Sequence, residues 1–250
     1  MSLAMISRVK KRLGLYMGFF CVLFLPALAK GYEEVTVTNG GTIRGLVKAQ
    51  GKLPKLPPLE VSKFKEVCKN VPNESLIVGS GQGVRYAVVT LERVTKGRAV
   101  EREALHELDN LGCRFVPHVQ AASIGQFLLI KNSDPILHTA HAYFPNGQPH
   151  FNVGLYPGKV SRKPLVSPGV VKIVCEVHPW MSAYIVVTEH PYHAVTDIYG
   201  EYEIRDVPPG TYQLKVWHET LGTQEKQVEV KGGAISKVDF TFAAPAGAKK

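Results

Sequence analysis

The sequence has few charged residues, few cysteines and no helical periodicity, and each shortage excludes a class of protein. Charged residues make up 20% of the 250 residues and apolar residues 45%, which is typical of a globular protein rather than a disordered chain or a coiled coil. No stretch keeps apolar residues at a sustained helical spacing. Glycine and proline number 23 and 17 and separate short β-branched runs, so the sequence predicts an all-β protein.

Common catalytic signatures are also absent. The sequence contains no C-x-x-C-H haem motif, no glycine-rich phosphate loop and no nucleophile elbow. Its acidic residues form no pair with a catalytic spacing. We therefore expect a protein that is not an enzyme. His118 has no partner at a ligand-like spacing and is expected on the surface.

A long apolar run occurs near the N-terminus. It extends from Leu13 to Leu28, follows four basic residues and ends at small residues, which is typical of a secretory signal peptide over residues 1–29. A retained anchor is the alternative, although the run is shorter than the about 20 residues that span a bilayer. Cleavage would lower the formal charge from +9 to +5. We expect a periplasmic or secreted protein with no membrane span after cleavage and no nucleic acid partner.

One short loop carries three residue types that bind soft or borderline metal ions. Cys175, His178 and Met181 have the spacing C-x-x-H-x-x-M, and an upstream strand and turn lead to His138. Two imidazole nitrogens, a thiolate and a thioether form a trigonal site with a weak axial ligand, which is the blue-copper geometry. Zinc accepts histidine and cysteine but has little use for a thioether. The alternative is coincidence, with Cys175 an inert buried thiol.

This stretch resembles the cupredoxins, the blue copper proteins of the amicyanin and plastocyanin type. The resemblance rests on the C-x-x-H-P-aromatic-M loop, on a histidine 37 residues before the cysteine, and on framework residues between 115 and 134. It covers residues 102–188. It implies a Greek-key β-sandwich with one type 1 copper ion, and the implied ligands are His138, Cys175, His178 and Met181.

The resemblance also implies roles for residues around the metal. Thr139 stands where cupredoxins often have an asparagine that hydrogen-bonds the thiolate, and this departure bears on the redox potential. His141 corresponds to a family histidine that is not a ligand, and we expect Trp180 to shield the site. With Cys175 as a ligand, Cys68 and Cys113 remain to form a disulfide, and two free thiols are the alternative.

The C-terminal part carries a second resemblance. A T-D-x-x-G hairpin at 196–200 and a P-P-G-x-Y turn at 208–212 resemble the carboxypeptidase regulatory-like, transthyretin-like β-sandwich. Such domains begin with a G-x-I-x-G-x-V strand, and residues 41–47 match it. Because the matching parts lie on both sides of the cupredoxin-like stretch, we expect a discontinuous outer sandwich with the copper module inserted. A simple tandem is the alternative.

The two resemblances imply an exported blue copper protein that transfers single electrons between periplasmic redox partners, such as a cytochrome or a dehydrogenase. The alternative is a carbohydrate- or protein-binding β-sandwich whose cupredoxin module is vestigial or carries copper. The sequence predicts five units. They are a signal peptide (1–29), the first part of the outer sandwich (35–100), the cupredoxin-like domain (101–188), the second part of the outer sandwich (189–243) and a flexible tail (244–250).

Overall fold

The structure, a computed structural model, describes residues 31–51 and 53–244. The expected signal peptide lies outside the described residues, as does all of the expected tail after Ala244. The described residues form nineteen strands and one short 3-10 helix, Ser80–Gln82, so the all-β prediction is confirmed. No helix within these ranges is long and apolar enough to cross a membrane.

The strands before the inserted module are β1 (Glu33–Glu34), β2 (Gly41–Gln50), β3 (Val88–Glu92) and β4 (Lys96–Gly97). The strands of the inserted module are β5 (Leu105–Asn110), β6 (Phe115–Val116), β7 (Val119–Ser123), β8 (Phe127–Asn132), β9 (His138–Tyr143), β10 (Pro149–Leu155), β11 (Val160–Pro164), β12 (Gly169–Val174) and β13 (Ser182–Thr188). The strands after it are β14 (His193–Val195), β15 (Glu201–Val207), β16 (Gly210–His218), β17 (Gly222–Val230), β18 (Ile235–Lys237) and β19 (Phe240–Ala243).

Strands β5 to β13 form an inner sandwich. A five-stranded sheet has the order β10-β9-β12-β13-β7 and a four-stranded sheet the order β11-β8-β5-β6. Side chains alternate between the two faces of a strand, and β8 accordingly buries Leu128 and Ile130 while Leu129 between them is less buried. These side chains meet Ile173 and Ile185 of the other sheet in one apolar core.

An outer sandwich is built from strands on both sides of the inner one in sequence. One sheet has the order β14-β3-β16-β17, and the other has the order β15-β2-β18, with β19 also paired to β2. Ile43 and Leu91, which precede the inner sandwich, are buried against Leu214 and Phe240, which follow it. The chain therefore leaves the outer sandwich after β3 and returns to it at β14.

The two sandwiches contact each other through a small apolar cluster and a polar pair. Tyr86 and Val88 pack with Val119 and Val186. Nearby, His118 is only 6% exposed, with one ring nitrogen bonded to the Ser182 carbonyl at 3.0 Å and the other to a carboxylate oxygen of Glu219. The expectation of a surface position for His118 is wrong, because the outer sandwich covers it.

An irregular segment between β2 and β3 lies against the inner sandwich. We call residues 59–71 the strap. The Leu59 N–H donates to the Val71 carbonyl at 2.9 Å and closes the strap at its base. A disulfide joins Cys68 of the strap to Cys113 of the inner sandwich, with Cα atoms 5.4 Å apart. The strap is therefore attached covalently beside the loops that carry the sequence-predicted metal ligands.

Candidate metal centre

The ends of three neighbouring strands bring the sequence-predicted ligands together. His138 is the first residue of β9, Cys175 directly follows β12, and Met181 directly precedes β13. Strand β12 lies between β9 and β13 and is antiparallel to both, with Val174 opposite His141 and Ser182. The 175–181 loop is held tightly, because the Met181 N–H donates to the His178 carbonyl at 3.0 Å and the Cys175 N–H to the Met181 carbonyl at 3.3 Å.

Three donor atoms converge in this loop region. The Cys175 Sγ lies 3.8 Å from Nδ1 of His138 and 3.6 Å from Nδ1 of His178, and one donor atom from each residue lies within 4.8 Å of the other two. Both histidines are 0% exposed and Cys175 and Met181 are each 1% exposed. Met181 belongs to the same apolar cluster as Cys175, so all four side chains are shielded from water.

The spacing of the donor atoms fits a single metal ion. Typical bonds of about 2.0 Å to imidazole nitrogen and about 2.3 Å to thiolate sulfur, set at a trigonal angle, place nitrogen and sulfur about 3.7 Å apart. The two sulfur–nitrogen distances, 3.6 and 3.8 Å, bracket this value. Cys175 is also the free cysteine of the described residues. One thiolate and two imidazoles are a donor set that copper accepts.

The surroundings favour the protonation states that bind metal. Burial alone would raise the pKa of the Cys175 thiol, but hydrogen bonds from His138, the Thr139 backbone and His178 lower it, which favours the thiolate. Burial and the neighbouring His138 lower the pKa of His178 to about 4, with a smaller contribution from Lys63. His178 is therefore neutral at pH 7, with a nitrogen lone pair free for a metal.

Asp134 orients the upstream histidine. Its carboxylate accepts hydrogen bonds from the Gly112 and Cys113 N–H groups at 2.7 and 2.8 Å and contacts Nε2 of His138 at 3.0 Å. Burial alone would lower the pKa of His138, but its bonds to Asp134 and Cys175 raise it. With Nε2 engaged by the carboxylate, Nδ1 faces the sulfur, an arrangement common around metal-binding histidines. Sequence reasoning did not assign Asp134 to the site, although its place four residues before His138 was a usable signal.

Thr139 supplies two contacts to the sulfur. Its N–H lies 3.3 Å and its Oγ1 3.7 Å from the Cys175 Sγ, and the Oγ1 also accepts the Glu176 N–H at 2.8 Å. A threonine thus ties the two ligand-bearing segments together. His141 lies outside the donor cluster, because its Nδ1 bonds the Glu176 carboxylate at 2.6 Å and the Tyr143 hydroxyl at 2.9 Å.

Two aromatic rings cover His178. The Trp180 ring centroid lies 5.1 Å from that of His178, and the indole N–H donates to the Cys113 carbonyl at 3.1 Å. On another side, Phe64 of the strap meets the imidazole edge-to-face at 5.3 Å. The sequence contained no local signal for Phe64, since it reaches the site only because the strap folds over it.

Comparisons with known proteins give one family match. A sequence model of the carboxypeptidase regulatory-like domain matches residues 178–243. This match begins within the ligand loop, ahead of the expected boundary at 189, and covers less than half of the chain. No curated protein sequence matches the chain.

Solved structures similar to part of the chain include two cupredoxins and a copper-containing nitrite reductase. A novel purple cupredoxin from Nitrosopumilus maritimus is 22% identical, covers 33% of this chain and 98% of its own, and has a TM-score of 0.30. A copper-containing nitrite reductase from Thermus scotoductus SA-01 is 24% identical, and the match covers 38% of this chain and 26% of the reductase, with a TM-score of 0.32. An oxidised amicyanin variant is 12% identical, and the match covers 47% of this chain and 95% of the amicyanin, with a TM-score of 0.32.

At such low TM-scores these likenesses carry no argument about chemistry, which depends on the geometry described above. The chain is similar to the cupredoxins among solved structures and to the carboxypeptidase regulatory-like domain over residues 178–243.

Proposed function

We propose that the protein binds one copper ion and transfers single electrons between redox partners outside the cytoplasm. His138, Cys175 and His178 would hold the ion, with Met181 as the axial contact. The observation that carries the proposal is the convergence of one buried sulfur and two buried imidazole nitrogens at 3.6 and 3.8 Å. A copper ion in such a donor set gains or loses one electron as it changes between Cu(II) and Cu(I).

The protein contributes a rigid, dry setting. His138 begins one strand while Cys175 and Met181 adjoin two others, and Asp134 and Thr139 hold His138 and the sulfur in place. Because these positions are set by sheet pairing, the ligands would move little when the charge on the ion changes. Small movement keeps the reorganisation energy of electron transfer low.

We further propose that the protein is an electron carrier rather than an enzyme. Four protein ligands would leave no open coordination position for a substrate, whereas catalytic metal sites keep one open. The redox partner would be a cytochrome or a dehydrogenase, and the oxidising compartment in which disulfides persist agrees with the bond between Cys68 and Cys113.

Titration with Cu(II) tests the copper site. We expect saturation at one equivalent with an intense visible sulfur-to-copper charge-transfer band, and loss of that band in Cys175→Ser. His218→Asn is the matched control, because His218 is equally buried at 1% exposure but belongs to the outer sandwich. A wild-type protein that stays colourless and binds no metal would contradict the proposal and favour the vestigial module.

A second measurement separates electron transfer from copper carriage. We expect a reduced c-type cytochrome with an acidic surface, mixed with the Cu(II)-loaded protein, to lose one electron per molecule while the visible band bleaches on the same time course. Release of copper to a chelator, with the cytochrome left reduced, would identify a copper carrier instead.

A further inference from the structure

The metal centre has a cover that does not come from the sandwich that supplies its ligands. His178 is 0% exposed, and its Nε2 has no hydrogen-bond partner among the described residues. Phe64 of the strap lies edge-to-face on its ring at 5.3 Å. The strap connects β2 to β3, which are both outer-sandwich strands. A protein that approaches His178 from this side therefore meets the strap and not the imidazole.

Phe64 connects the ligand to the surface. It contacts His178 and is still 40% exposed. Its φ of 52° lies in the left-handed region, which is strained for a bulky residue. The strap holds this conformation, because the N–H groups of Val67 and Cys68 both donate to the Phe64 carbonyl, at 3.0 and 2.8 Å. Strain of this kind is concentrated at functional sites, and here it places one ring against both the imidazole and solvent.

Unpaired positive charge surrounds this ring. We call residues 62–70 the strap tip. Lys63, Lys65 and Lys69 of the tip are exposed, and none of them forms a salt bridge among the described residues. Glu66 is the single acidic residue of the tip. An apolar centre within a positive rim is complementary to an acidic protein surface and would steer such a partner toward it.

We propose that the strap tip is the docking surface for an acidic redox partner, and that electrons pass between partner and metal centre through Phe64 and His178. The inference rests on the proposed function and assigns its partner surface to the strap. In one direction the reduced partner loses one electron and Cu(II) becomes Cu(I), and no bond forms or breaks. The ligands would thus come from the inner sandwich, and the contact with the partner from the strap.

The first test needs no copper. Hexacyanochromate(III), a redox-inert paramagnetic anion, is titrated into the ¹⁵N-labelled metal-free protein. We expect selective broadening of the amide signals of the strap tip, and its loss in a variant with Lys63, Lys65 and Lys69 all changed to glutamine. The control changes Lys48, Lys96 and Lys231 to glutamine, which are exposed lysines of equal total charge outside the strap. Broadening spread evenly over the basic surface, or equal in both variants, would overturn the docking surface.

The second test uses the Cu(II)-loaded protein and two small reductants of opposite charge, each of which donates one electron. The variant with Lys63, Lys65 and Lys69 changed to glutamine should be reduced about tenfold more slowly than wild type by the anion ferrocyanide and faster by the cation hexaammineruthenium(II). Both differences should shrink at high salt. The control variant should match wild type. A coloured protein in which the two variants react alike would overturn the docking surface alone. A protein with no visible band would overturn the proposed function, and the electron route with it.

Discussion

The two sandwiches both bury histidines, but they use them differently. In the inner sandwich, Nδ1 of His138 and of His178 face the same sulfur. In the outer sandwich, His218 is 1% exposed, and its Nδ1 accepts the N–H groups of Thr220 and Leu221 at 3.2 and 3.3 Å. A buried histidine is therefore not in itself a metal site. What distinguishes the inner pair is that their nitrogens converge on a third donor atom.

The largest effect on this comparison should come from Asp134→Ala. The substitution leaves the Gly112 and Cys113 N–H groups without their acceptor and frees the His138 ring. We expect the free energy of unfolding to fall by about 3 kcal/mol and copper affinity to fall by about 10- to 100-fold. Urea unfolding and competition with a copper chelator measure the two quantities.

Asp134→Asn is the control for that prediction, because its amide oxygen still accepts a backbone N–H while the carboxylate charge is lost. It should recover much of the stability and less of the affinity. Loss of stability with unchanged copper affinity in the alanine variant would show that Asp134 does not position His138.

Acid should affect the outer sandwich through His218. Burial lowers the pKa of His218 to about 4 from its ordinary value of 6.5, so the unfolded chain binds a proton at a higher pH than the folded protein does. The stability that the neutral form of His218 contributes is complete above pH 6.5 and is lost as the pH falls from 6.5 towards 4. Between pH 7 and 4.5 this histidine alone should lower the free energy of unfolding by about 2 kcal/mol.

The matched variant is His218→Asn, whose amide oxygen can accept the same two N–H groups but does not titrate. Urea unfolding at pH 7 and pH 4.5 should show a smaller acid loss in the variant than in wild type. Equal acid losses in both proteins would mean that His218 is not the responsible group. Cu(II) binding at pH 7 should be unchanged.

The smallest effect should follow Tyr202→Phe in the outer sandwich. The Tyr202 hydroxyl donates to the Val238 carbonyl at 2.5 Å, and its loss should lower the free energy of unfolding by about 1 kcal/mol. The copper band should keep its position and intensity, because the change lies in the other sandwich. A shifted band would show that the sandwiches are coupled more strongly than their small shared cluster implies.

Part of the inner sandwich was not predictable from local pattern. Local pattern does not predict strands β9 to β11, since β9 has no large aliphatic residue and the centre of β11, residues 161–163, is polar. Strand β9 is stabilised by pairing with β10 and β12, and β11 by pairing with β8, which depends on tertiary context more than on propensity. His118 was misplaced for a similar reason, because the surface that buries it comes from the far end of the chain.

Local sequence is enough to specify the all-β class and to bring three donor types into one short loop, because Cys175, His178 and Met181 are close in the chain and a few backbone hydrogen bonds suffice to cluster them. Contacts between distant segments, and not local sequence, bring His138 to the Cys175 sulfur and Phe64 onto the His178 ring. These contacts join distant segments, whose loop-closure entropy is offset by sheet pairing, the apolar cores and the disulfide rather than by any local preference.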